Sequence, residues 1–231
     1  MTVTETSTLD TLSADVQAFV AQATRDAEKA FRVFRSTGTV AANGTANFVE
    51  RVPGEDLVVV LNDPGPWADD QSVQPIVSPL TGGGFVKEFG PLFSARPEIT
   101  TLLHIHSPWL GGWAQTRRDL PIRYAATQRL TLSRSIPHHV DRSQSAADFI
   151  LEKLQTDPHL VAIFESNGGV NVIGRGGLLE TAKFTVLLEE GAQLQAIAET
   201  LGGSEELHPS NLVAQWSRTG LLDEARRLGL V

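Results

Sequence analysis

Two segments with helical spacing bracket a series of short apolar runs, and this arrangement limits the fold more than any other feature. From Ser13 to Ser36, the residues Val16, Phe19, Val20, Ala23, Ala27, Ala30, Phe31 and Phe34 recur as one helix face. Ser13 is a candidate N-cap, and Gly38 lies just beyond the end. From 178 to 201, Ala182, Val186, Leu187, Ala192, Leu194 and Ile197 mark a second long helix. Between them, "TANFVERVPGEDLVVVL" reads as two strands joined by Pro53-Gly54-Glu55-Asp56. "VQPIVSP", "TTLLHIHS", "SIPHHV" and "LVAIFESNGGVNVIG" supply further extended pieces. A Gly-rich turn over 81–84 feeds a short helix that stops at Arg96-Pro97. Ser145, with Asp148 three residues on, opens another helix. Short amphipathic helices are expected over 209–231. Strands come first and then alternate with helices, which predicts one α/β layer domain over 1–231 with a mixed sheet, and a frayed lead over 1–12.

The chain of 231 residues is long enough to bury its own core. Its net charge of -8, with no long Lys/Arg cluster, argues against a nucleic-acid partner. The absence of cysteine removes disulfides, thiolate metal sites and cysteine nucleophiles. No apolar run reaches the ~20 residues that span a bilayer, and the N-terminus lacks the pattern of a signal peptide. A cytoplasmic protein is expected.

Chemistry concentrates in "TLLHIHSPW", residues 101–109. Alternate residues of a strand share a face, so His104 and His106 look the same way. A lone buried histidine is usually a satisfied core side chain. Two on one face both need partners, and a shared metal ion provides them. His138 and His139 form a second pair on an extended piece, while His159 and His208 sit in polar surroundings.

"RPEITTLLHIHSPW" resembles the hallmark of the class II aldolase/adducin family. "GTVAANGTANFVERVPGEDLVVV", "LPIRYAA", "IPHHVDRSQSAADFI" and "AIFESNGGVNVIGRGGLLETAKFTVLLEEGAQL" are similar to further family segments, in the family's order. The resemblance implies a three-layer α/β/α sandwich with a central mixed, mainly antiparallel sheet. It also implies a homotetramer acting on a small-molecule substrate. A divalent metal ion (zinc, manganese or iron) on three histidines stabilises an enediolate, a Glu moves a proton, and a neighbouring subunit's Tyr protonates the leaving aldehyde. The tyrosine position falls on Tyr124, and the substrate-lining hairpin residues fall on Asn43, Gly44 and Asn47.

Two departures stand out. Where the family carries Asn-His-Gly, this chain has Asn167-Gly168-Gly169, so the third histidine is missing. The register of the family's Glu lands on Phe85, and the nearest carboxylate is Glu88. The phosphate-binding serines are replaced by Thr81-Gly82-Gly83-Gly84, which can cradle an anion through backbone amides or serve only as a turn. The expected set is therefore His104 and His106 on the metal, joined by one of His138, His139 or Glu88, with Glu165 as a remote replacement. Glu88, Tyr124 and His139 are the candidate proton-moving groups. Thr81, Gly82, Gly83 and Trp109 join the hairpin residues around the substrate, while Trp113, Arg123 and Arg129 have ordinary packing or surface explanations. The expected activity is a lyase reaction on a small hydroxy- or oxo-acid, by retro-aldol cleavage or decarboxylation. A non-haem iron oxygenase and a non-catalytic adducin-like assembly module stand as alternatives.

Overall fold

The computed structural model describes residues 11–231, so the frayed lead expected over 1–12 falls, but for its last two residues, outside them. Helix α1 (Ala14–Thr37) starts where the Ser13 hydroxyl accepts the Val16 amide at 3.4 Å. It stops where Gly38, at φ 71°, turns its amide back onto the last carbonyls, a conformation that suits glycine. Strands β1 (Ala46–Arg51) and β2 (Leu57–Asn62) form the expected hairpin, with Gly54 at φ 78° in the turn.

Strand β3 (Pro75–Pro79), helix α2 (Gly84–Ala95) and strand β4 (Thr101–Ile105) follow. Next come α3 (Pro108–Ala114), β5 (Leu120–Pro121), α4 (Ala125–Gln128), β6 (Ser135–Ile136) and β7 (His138–His139). Helix α5 (Ala146–Thr156) opens with the Ser145 hydroxyl accepting the Asp148 amide at 3.1 Å. Strands β8 (Ala162–Glu165) and β9 (Val170–Gly174) precede the long α6 (Leu178–Thr200), and α7 (Pro209–Thr219) and α8 (Leu222–Arg227) end the chain.

Among the described residues, seven strands form one sheet in the order β3-β2-β1-β4-β9-β8-β7, antiparallel except for β7 against β8. Strand alternation divides their side chains between two cores. Phe48, Leu103, Ile105, Val172 and Phe164 face α1, α3 and α6. Val49, Leu102, Ile163 and Ile173 face α2 and α5. The result is the expected three-layer α/β/α sandwich around a mixed, mainly antiparallel sheet. A third cluster, around the fully buried Trp216, fastens α7 and α8 to the chain beside α4, its indole donating to the Gln128 carbonyl at 2.9 Å.

Two buried carboxylates set the helices of the α1/α6 layer. Glu50, 6% exposed, accepts from Thr101 Oγ1 at 2.5 Å and from the Leu178 amide that opens α6. Glu189, on α6, accepts from the Trp109 and Leu110 amides at 2.7 and 2.9 Å and so caps α3. Burial pushes both carboxyls up to about 7 from the ordinary 4.5, against the lowering effect of their hydrogen bonds.

A raised folded-state value means that the folded protein holds protons the unfolded chain has already lost, so stability falls as pH rises from about 5 through 7. At 1.36 kcal/mol per unit, the full shift is worth roughly 3 kcal/mol per carboxyl. Glu50→Gln should remove one of the two contributions. Urea unfolding at several pH values checks this: wild-type stability minus that of Glu50→Gln should drop by a few kcal/mol between pH 5 and 8. Parallel curves would show that burial of Glu50 has no such linkage.

Candidate metal and acid–base centre

The α2/α5 face of the sheet is apolar through its middle and polar at one end. Pairing places Asn47 beside His104 on one side and Asn171 beside it on the other. Asn171 in turn pairs with Ile163, two residues before Glu165, and Glu165 lies in register with His139. Strand geometry thus gathers Asn47, His104, Asn171 and Glu165 at the carboxyl end of β4, with His106 just beyond it on the same face.

Contacts fix the chemistry of this group. Glu165 Oε2 pairs with the Arg142 guanidinium at 2.9 Å, and Oε1 accepts from Asn171 Nδ2 at 2.7 Å. With its amide nitrogen committed, Asn171 offers Oδ1 to His104 Nδ1 at 2.8 Å. An oxygen acceptor requires a proton on Nδ1, so the lone pair of a neutral His104 ring is on Nε2. That nitrogen lies 3.1 Å from His106 Nε2. Burial, and then the neighbouring His104, hold the His106 imidazole below its ordinary pKa and favour the neutral ring.

Glycines supply the room. A Cβ on Gly169 would stand 2.8 Å from His106 Cδ2, 2.9 Å from His104 Cε1 and 2.7 Å from the Ile105 carbonyl, so the Asn167-Gly168-Gly169 turn lies directly on both rings. A Cβ on Gly44 would meet the His106 carbonyl at 2.6 Å. At Gly168 a Cβ would lie 2.7 Å from Arg142 Nη2. A guanidinium fills the space into which a side chain would project there.

A divalent metal fits half of this arrangement. Two imidazole nitrogens on a tetrahedral zinc stand roughly 3.3 Å apart, given Zn–N bonds of about 2.05 Å, and the observed separation is close to that. A histidine whose Nδ1–H is held by an acceptor backed by a carboxylate is the usual partner of a metal at Nε2. A third donor is not assembled. Among the described residues, no group of three or more His, Cys, Asp or Glu side chains is arranged to hold a metal ion. Glu165 approaches His104 from the Nδ1 side, at 4.0 Å, and is occupied by Asn171 and Arg142. The expected completion of the set by His138, His139, Glu88 or Glu165 is therefore corrected, and the two-His-one-carboxylate arrangement is not formed. Adjacent strand residues point to opposite faces, so His138 turns to Phe164 and His139 to Phe149.

The other expected site residues fall as follows. His139 is buried, with Nε2 on the Gln144 carbonyl at 2.9 Å and Nδ1 without a partner. Glu88 is exposed on α2, one turn beyond Phe85, whose ring lies 6.2 Å from that of His104. Tyr124 precedes α4 and packs near Gly191 of α6, away from the imidazoles within this chain. Asn47 Oδ1 is buried without a partner beside His104, while Asn43 is exposed and accepts from the Trp67 indole at 2.9 Å. Thr81 is exposed. A Cβ on Gly82 would collide with Ser78 and Pro79, and Gly83 caps α2 without a side-chain bond. Trp109 is 39% exposed at the start of α3. Sequence reasoning missed Arg142 and Asn171. The signal for Asn171 was strand pairing with His104, which becomes visible only once the register of β4 against β9 is known.

Residues 31–196 match the family model described as Class II Aldolase and Adducin N-terminal domain. No curated protein matches the chain. Among solved structures, L-fuculose 1-phosphate aldolase from Glaciozyma antarctica PI12 superposes with a TM-score of 0.65 at 16% identity, covering 90% of this chain and 85% of that one. L-fuculose-1-phosphate aldolase from Thermus thermophilus gives 0.59 at 18% identity, over 80% and 99%. An aldolase II superfamily protein from Pseudomonas syringae gives 0.58 at 15% identity, over 90% and 86%. At such identities the superpositions speak for the fold, and the family match, which runs over most of the length, speaks for descent: the chain belongs to the class II aldolase and adducin N-terminal domain family.

Proposed function

We propose that the protein is a lyase of the class II aldolase type, acting on a small hydroxy- or oxo-acid by retro-aldol cleavage or decarboxylation, with His104 and His106 holding a divalent ion. The observation that carries this reading is the convergence of the two Nε2 atoms at 3.1 Å, with His104 Nδ1 turned to the Asn171 oxygen on the far side. When bound, such an ion supplies Lewis-acid polarisation of a carbonyl. The chain's own residues do the rest. Asn47 Oδ1, buried and unpartnered, accepts a substrate hydroxyl beside His104. The N-terminus of α2 at Gly83, uncapped by any side chain and near His104 through Phe85, receives a carboxylate on its free amides. Replacement of the family's serines by Thr81-Gly82-Gly83 favours an acid over a sugar phosphate. Phe85, its ring 6.2 Å from that of His104, covers one side.

Proton transfer is assigned to Glu88, exposed one turn from Phe85, and to Tyr124, brought in from a neighbouring subunit. Assembly into a tetramer is supported by α6, which is apolar on several sides and leaves Leu194 and Ile197 exposed. His139 acts from behind Glu165, its register partner. A second reading, a non-catalytic assembly module, draws on Phe85 and Gly168 standing where the family carries its acid/base and its third ligand.

Isothermal titration with zinc or manganese tests the metal. One ion per chain should bind, and His104→Ala or His106→Ala should weaken it at least 100-fold. No binding by the wild type would defeat this reading, and binding without turnover across a panel of hydroxy- and oxo-acids would favour the module. Gly169→Ala should push the imidazoles apart, lowering metal affinity at least tenfold and stability by roughly 1–3 kcal/mol. Unchanged binding there would mean that the turn does not set the ring positions. Light scattering should give four chains per particle, and a stable monomer would remove Tyr124 from the proposed chemistry.

A further inference from the structure

We propose that Glu165, anchored by Arg142, is a positioning residue that acts through Asn171 to hold the proton of His104 on Nδ1 and aim its Nε2 lone pair at His106 Nε2. The inference deepens the proposed function, and it rests on that reading for the chemical use of the lone pair.

The argument follows the hydrogen-bonding capacities along the row. Arg142 carries only donors, so the oxygen of Glu165 that faces it is an acceptor, at 2.9 Å. The other oxygen meets Asn171 at 2.7 Å, and a carboxylate can only accept there, so the amide's nitrogen faces Glu165. An amide has one oxygen, and it must therefore face His104, at 2.8 Å. Each link leaves the next no choice, and the polarity set by a guanidinium at one end reaches the imidazole at the other.

Geometry keeps the row in line. Asn171 is the strand neighbour of His104 in the β4–β9 ladder. Glu165 ends β8 two residues beyond the partner of Asn171. Their side chains share the α2/α5 face because strand alternation puts them there. Arg142 Nη2 lies over Gly168, 2.7 Å from where a Cβ there would stand. Glu165 and the His104 side chain are each 14% exposed, so water competes little for the same bonds.

The test reads the tautomer directly. In a long-range proton–nitrogen correlation spectrum of the metal-free protein at pH 8, His104 should show a protonated Nδ1 and a bare Nε2. In Glu165→Gln the amide oxygen must face the Arg142 donors and its nitrogen must face Asn171, which then turns its own nitrogen toward His104, so the signals should move toward a bare Nδ1 and a protonated Nε2, and zinc affinity should fall 10–100-fold, the range found when the hydrogen-bond partners of metal ligands are removed. The pair Glu165→Gln with Asn171→Asp restores a fixed polarity, because the new carboxylate accepts from both neighbours, and it should return the wild-type signature.

A wild-type His104 protonated on Nε2 would overturn the proposal without any variant, so it stays falsifiable even if Glu165→Gln does not fold. An unchanged spectrum in a folded Glu165→Gln protein would also overturn it, as would a double variant that keeps the His104 proton on Nε2. Failure of the metal reading looks different: the wild type would show the Nδ1 proton, and the variants would behave as stated, while zinc bound to none of them.

Discussion

The site depends on strand register. Strand β4 runs between β1 and β9, and pairing sets Asn47, His104 and Asn171 side by side. A slip by one residue would turn the imidazole into the α1/α6 core and bring Leu103 to the polar end. The alternative register is expensive because both faces of this sheet are buried. Leu102 faces α2 and α5, while Leu103 and Ile105 face α6. Apolar packing in the middle of the strand therefore holds the polar groups at its end, and the chemistry inherits its precision from residues that take no part in it.

The same division explains where charge is tolerated. Glu50 and Glu189 are buried in the α1/α6 layer, where each takes up backbone amides at the start of a helix. These amides would otherwise lack partners inside the protein. On the opposite face, Glu165 is compensated by a side chain, Arg142. The first two carboxylates fix how α3 and α6 lie against the sheet, and α3 begins just after His106. The third faces the imidazoles, where a change of partner is felt as a change of proton position.

Much of this was legible in the sequence. Helices α1 and α5 announce themselves by period and caps, α6 only by a long run of apolar helix formers without a single buried face, and the β1–β2 hairpin by its Pro-Gly turn. The approach of His104 to His106 follows from alternation alone. The second histidine pair misled for the same reason: adjacent residues cannot share a face, and His138 and His139 go to different cores. What could not be read was pairing at long range. Asn171 is 67 residues from His104, and several registers of β9 would satisfy an apolar pattern as short as "VNVIG". Arg142 was hidden more deeply, because its place is created by what Gly168 lacks.

The side chains at this end of the sheet nearly balance one another in charge. Arg142 and Glu165 cancel, and His104 and His106 are neutral when they offer lone pairs. A divalent ion on the two imidazoles would carry its charge into a half-buried space where the carboxylate beside His104, Glu165, is already paired with Arg142. Burying uncompensated charge is costly, and a carboxylate on the substrate is the simplest way to offset it. An enzyme that leaves this neutralisation to its substrate holds metal and acid more tightly together than either alone.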